Sequence, residues 1–113
     1  MIVITGAGLL SAIGTNQAET LQSLRDARAG LHPVRFLPTV HRELPVGEVP
    51  LSDDELRRLA QAPEARSRTA LMGMIALREA LTQAQITPQL IADTALVSGD
   101  RKSTRLNSSH SRA

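Results

Sequence analysis

Few side chains in this chain stand in arrangements suited to chemistry. Its 113 residues include no cysteine, which excludes a thiolate nucleophile, a thiolate metal site and a disulfide scaffold. The first arrangement with chemical potential is Gly6-Ala7-Gly8, directly after an apolar run. Glycines in such a turn let backbone N–H groups approach a pyrophosphate at a helix N-terminus. The spacing G-x-G-x-x-G fails at its sixth position, which is Ser11, and the expected helix cap at Asn16 stands too late for a helix opening from the turn. Tight turning and close packing explain these glycines more simply. Ser11 has no histidine at a spacing that assigns it a base, so a turn or packing role is expected. His32 and His41 lie in a proline-rich stretch without a carboxylate or cysteine at ligand spacing, and are read as surface or structural. Asp53-Asp54-Glu55 reads as a dipole-favoured helix start rather than a metal site, and Arg57, Arg58, Arg66 and Arg68 as solvated faces. No residue is assigned as catalytic, cofactor-binding or metal-ligating.

The elements that would position these residues follow from pattern. Ile2-Val3-Ile4-Thr5, ended by Gly6, predicts a strand buried on both faces, as in a parallel sheet. Asn16 and Glu19 have capping-box spacing, Ala18, Leu21 and Leu24 form a stripe, and Gly30 supplies a stop, which predicts a helix. Pro33, Pro38, Pro45 and Pro50 make residues 31–50 an extended surface excursion with a short edge strand near Val46 to Val49. Ser52-Asp53-Asp54-Glu55 is a second capping box, opening a helix through about Ala60 that Pro63 interrupts. Arg66 to Gln85 is the longest helical stretch. Its apolar positions include Ala70, Leu71, Met74, Ile75, Leu77 and Leu81, and the small residues Gly73, Ala76, Ala80 and Ala84 occupy other faces. Thr87-Pro88 resembles a cap followed by proline at the first helical position, and Thr94-Ala95-Leu96-Val97 predicts a second strand. The expected order is strand, helix, excursion, helix, helix, strand: the opening of an α/β fold with a parallel pair and a lengthened crossover.

Composition narrows the class further. Hydrophobic residues make up 42% and charged residues 21%, and Phe36 is the sole aromatic, which argues against stacking platforms for single-stranded nucleic acid. No apolar run reaches the length of a membrane span, and the N-terminus lacks the basic region of a signal peptide, so a cytoplasmic protein is expected. The net charge of +2 comes from the end of the chain. Arg101, Lys102, Arg105 and Arg112 take four of the 13 bases and Asp100 one of the 11 acids, leaving nine bases against ten acids over residues 1–99. The basic balance therefore gives no ground for a nucleic-acid partner. Residues 100–113 hold the only lysine and four serines, a composition that predicts disorder. Moreover, Asp100-Arg101-Lys102-Ser103-Thr104-Arg105-Leu106-Asn107-Ser108-Ser109-His110 resembles, residue for residue, a translated short-read sequencing adapter. On that reading the gene-derived sequence is cut near Gly99 and the chain is a fragment.

Val3-Ile4-Thr5-Gly6-Ala7-Gly8-Leu9-Leu10-Ser11-Ala12-Ile13-Gly14 resembles the opening of the β-ketoacyl-acyl-carrier-protein synthases, whose first strand reads V-V-I-T-G-x-G-x-x-S-x-x-G. Leu21 to Leu31 resembles that family's first helix with its small-glycine-apolar exit, Ala29-Gly30-Leu31. Ser67 to Gln85 is similar to its long central helix, and Thr94 to Gly99 to its next core strand and glycine turn. The likeness spans essentially all of residues 1–99.

The resemblance implies an α/β chain forming part of a thiolase-like fold, namely the start of the N-terminal ketosynthase half, followed by a disordered tail. Two units are expected: residues 1–99, a partial β-ketoacyl synthase N-terminal domain, and residues 100–113, a non-native adapter-like tail. The implied activity of an intact enzyme is decarboxylative condensation of an acyl thioester with malonyl-carrier protein, in fatty-acid or polyketide-type synthesis. It uses no separate cofactor, its substrates being carried on phosphopantetheine. The implied partners are acyl carrier protein, which the arginines of residues 57–68 would meet, and a second subunit in a homodimer. That chemistry needs a low-pKa cysteine thiolate, an oxyanion hole and two assisting histidines. All belong to later parts of the family's sequence, so the fragment itself is expected to be inactive. Two alternatives remain. One is a nucleotide-binding fragment similar to short-chain dehydrogenases, whose pattern T-G-x-x-x-G-x-G matches at Thr5 and Gly6 but meets Leu10 and Ala12 at its later glycines. The other is a small interaction domain with a basic tail.

Overall fold

A computed structural model describes residues 1–99; the adapter-like segment, with the disorder expected of it, lies outside the described residues. The elements in chain order are α1 (Gln17–Arg25), β1 (His32–Pro33), β2 (Pro45–Val46), α2 (Asp53–Ala60), α3 (Arg68–Ala84) and α4 (Pro88–Ile91).

Every helix begins at a capping side chain, as expected at Asn16, Ser52 and Thr87; α3 begins at Arg68 after Ser67, two residues later than expected. Asn16 Oδ1 accepts from the Glu19 N–H at 2.8 Å, Ser52 Oγ from Glu55 at 3.2 Å, Ser67 Oγ from Ala70 at 3.1 Å and Thr87 Oγ1 from Leu90 at 3.4 Å. The box at α2 is complete, because Glu55 Oε1 accepts in return from the Ser52 N–H at 2.9 Å. That backbone donor, with the Ser52 hydroxyl, holds the Glu55 carboxyl below its ordinary pKa. At α1 the reciprocal half shifts by one residue. Glu19 accepts from the Thr15 hydroxyl at 2.6 Å and the Thr15 N–H at 2.8 Å, which lower its pKa in that order. Gln61 and Gln85 end α2 and α3 in the left-handed conformation, at φ 55° and 59°.

The core lies where α2 crosses α3. Leu56 and Ala60 of α2 and Leu71 of α3 are buried, with Leu10, Val49, Leu51, Met72 and Ile75 packed around them. Fully burying a leucine contributes about 1.5–3 kcal/mol. Val34 is the other buried apolar side chain among the described residues.

Three expectations are corrected. Residues 2–5 and 94–97 form no strand, and the only sheet among the described residues is the antiparallel pair β1–β2, with His32 opposite Val46. A strand exists only where a neighbour accepts its backbone groups. Here none is within reach, and Ile2, Ile4 and Val97 stand at least 90% exposed. The short edge strand expected near 46–49 does form, shifted to the two-residue β2 and paired within the excursion. The stripe assigned to α1 faces outward, Leu21 and Leu24 being exposed, while the buried residue of that helix is Ser23, whose hydroxyl donates to the Ile13 carbonyl at 2.6 Å. Finally, α1 ends at Arg25 rather than at Gly30, with Ala27 taking the positive φ of 53°. Gly30 serves packing, since a Cβ there would meet the Ala12 Cβ at 2.8 Å.

Candidate functional site

The glycine turn and the long helix form one locus. Residues 6–9 run along the stripe Ala76-Ala80-Ala84 of α3, in the direction opposite to the helix. A Cβ on Gly6 would collide with the Ala80 carbonyl oxygen and approach the Ala84 nitrogen to 2.9 Å. A Cβ on Gly8 would collide with the Ala76 carbonyl oxygen and sit 2.7 Å from its carbonyl carbon. No glycine has positive φ, so these two are required by backbone-to-backbone proximity, not by turn conformation. Small residues on the helix and glycines in the segment are two halves of one contact.

Hydrogen bonds fix the register. The Ala7 N–H donates to Gln83 Oε1 at 2.8 Å and the Leu9 N–H to Glu79 Oε1 at 3.0 Å. The second Glu79 oxygen accepts from the Gln17 N–H at the start of α1, at 2.8 Å, and Gln83 Nε2 donates to Gln17 Oε1 at 2.9 Å. One half-buried carboxylate thus ties the turn, the first turn of α1 and α3 together. Between them, Ser11 and Gly14 close a tight turn, with Ser11 N–H donating to the Gly14 carbonyl at 2.8 Å. The Ser11 hydroxyl accepts from the Ile13 N–H at 3.3 Å, a turn-stabilising role.

This geometry bears on anion binding. Two N–H groups of the turn already donate to α3, and a carboxylate occupies the space beside them. A pyrophosphate there would face like charge at short range.

The other sequence candidates are dispersed. His32 lies exposed on β1, and His41 pairs at 3.7 Å with Glu43, both largely solvated. Among the described residues no three His, Asp or Glu side chains form a group able to hold a metal ion. Arg57 and Arg68 depart from the solvated role expected for them. Arg57 Nε donates to the Ala65 carbonyl at 2.8 Å and its NH1 to Asp54 at 2.8 Å, while Arg68 donates to Asp53 at 2.9 Å and to the Val49 carbonyl at 2.8 Å. Asp53 and Asp54 are accordingly arginine partners at the start of α2.

On another face of α3, Ala70, Gly73, Met74 and Leu77 line an open groove of about 740 Å³ with Leu96 and Val97. Sequence reading missed Glu79, Gln83 and Glu48 as anchors. For Glu79 a signal existed: it follows Ala76 by three residues, on the small-residue face, where a long acidic side chain needs donors. Among the described residues no helix is long and apolar enough to cross a membrane. Comparison with known proteins finds no matching family model, no matching curated protein and no matching solved structure.

Proposed function

We propose that residues 1–99 are the opening portion of a β-ketoacyl-acyl-carrier-protein synthase, a cytoplasmic acyltransferase that extends carrier-bound acyl chains. The observation that carries this reading is the run Val3 to Gly14, followed in order by the matching helices. Its first two glycines, Gly6 and Gly8, are pressed against α3, so this part of the motif and the long helix act as one packing unit. The exposed apolar segments 2–4 and 96–97 agree with sheet strands whose neighbours lie elsewhere in a larger domain.

In the intact enzyme the acyl group passes from phosphopantetheine to a cysteine thiolate. Loss of carbon dioxide from the malonyl thioester then gives a carbanion that attacks the acyl-enzyme carbonyl and expels the thiolate. With no cysteine, this chain supplies none of those groups. Its part is positional, holding residues 6–9 and the start of α1 against α3. The dehydrogenase-like alternative has less support, because Glu79 lies against the turn that would receive phosphate.

Reading the genomic DNA past the codon for Gly99 tests the proposal. The expected result is a continuing frame with one cysteine followed by two histidines. A Tyr-x-x-x-Lys pair would favour a dehydrogenase, and an uninterrupted natural frame ending at Ala113 would overturn the proposal.

A further inference from the structure

A second locus lies apart from the glycine turn and is independent of the family to which the chain belongs. Within the proline-rich excursion, three successive backbone N–H groups converge on one carboxylate. Arg35 N–H donates to Glu48 Oε1 at 2.8 Å, and Phe36 and Leu37 N–H donate to Oε2 at 3.0 and 2.7 Å. Successive N–H groups aimed at one point form a concave, anion-binding nest. One cation reinforces it, the Arg68 charge helping to lower the Glu48 carboxyl pKa. The Arg68 guanidinium lies 5.1 Å from the centre of the Phe36 ring and the Arg35 guanidinium 5.8 Å from it. Arg68 also donates to the carbonyl of Val49, the residue after Glu48, and to Asp53 at the start of α2. The nest, its occupant and the α2–α3 junction are therefore linked by one side chain.

We propose that residues 35–37, with Arg68 beside them, form an oxyanion site whose resident ligand is the chain's own Glu48 carboxylate. Glu48 is the latch that closes the excursion, and the ligand class is a small carboxylate or phosphate. An emptied nest retains its donors and the neighbouring Arg68 cation, so a free oxyanion can take the position of the lost side chain.

The test is chemical rescue in the full chain, read by amide hydrogen exchange and amide chemical shifts at Arg35, Phe36 and Leu37. Glu48→Ala is expected to speed exchange at these amides by about tenfold or more, and Glu48→Gln by less. Added acetate or inorganic phosphate restores protection in Glu48→Ala, whereas sodium chloride at matched ionic strength does not. Rescue by acetate alone identifies a carboxylate site, and rescue by phosphate identifies one open to the larger anion. Equal rescue by chloride would mean simple screening and overturn the proposal. So would absence of rescue by either oxyanion, wild-type shifts in Glu48→Gln, or a wild-type chain in which these three amides are unprotected.

Discussion

Gly8→Ala concentrates the packing argument in one methyl group. The added Cβ would collide with the Ala76 carbonyl oxygen and lie 2.7 Å from the Ala76 carbonyl carbon and 3.2 Å from its Cα. The neighbour is helix backbone, bonded within α3, so it cannot swing away as a side chain would. The segment must withdraw by on the order of 1 Å, which forfeits a quarter to a half of each contact it makes with the stripe. The Leu9 N–H to Glu79 bond, now 3.0 Å, would stretch beyond hydrogen-bond range. Overpacking costs about 1–3 kcal/mol, and a hydrogen bond to a charged group contributes about 1.5–3. These terms overlap, so about 3 kcal/mol is expected, a factor of roughly 100 in the local opening equilibrium. Gly73→Ala is the control. Nothing lies within 4 Å of a Cβ there, in the middle of α3, so alanine should stabilise the helix by about 0.5–1 kcal/mol. Amide exchange at Ala7, Leu9 and Gln17 reads the first variant, and exchange across α3 reads the second. Unchanged exchange in Gly8→Ala, or the same sign of effect in both variants, would refute the assignment of residues 6–9 to the α3 stripe.

Further expectations follow from other contacts. Glu79→Ala removes the acceptor for the Leu9 and Gln17 N–H groups and should speed their exchange by about tenfold or more, while Leu56 and Leu71 stay protected. Leu71→Ala, at a fully buried site in a small core, should cost about 2–5 kcal/mol and abolish protection in both α2 and α3. Burial pushes the Glu48 carboxyl upward, but the N–H donors of Arg35, Leu37 and Phe36 and the Arg68 charge outweigh it, so its pKa is lowered. Its contribution should then be complete above the unfolded-chain glutamate value and vanish as pH falls through the lower folded value. An acid titration of the Leu37 amide shift checks this. Exposed Val3 and Val97 should drive self-association; Val3→Lys with Val97→Lys should lower light scattering, and a monomeric wild type with one sharp thermal transition would contradict this.

How much was legible can be argued from single residues. Asn16, Ser52 and Thr87 each named a helix start correctly, because a cap joins atoms only three residues apart and needs nothing from elsewhere, whereas the Ser67 cap was not singled out and places the start of α3 two residues after the expected Arg66. The small residues of α3 were visible too, although their occupant was not. The strands failed for the complementary reason: β-branched residues at 2–5 express a preference, but a ladder requires a second segment at the right distance. The outward face of α1 has a similar origin. Periodicity locates a stripe without saying what meets it, and Ser23 gained its buried position through the Ile13 carbonyl.

The sequence by itself determined the capped helix starts at Asn16, Ser52 and Thr87, the proline-rich excursion, the absence of thiol chemistry and the resemblance borne by Val3 to Gly14. Only the tertiary structure decided that Gly6 and Gly8 face helix backbone, that Glu79 joins three segments, and that Glu48 closes on residues 35–37. The division has a physical cause. Caps and turns are settled among neighbours in the chain, whereas a carboxylate 70 residues from its donor finds it only after the backbone between them has folded.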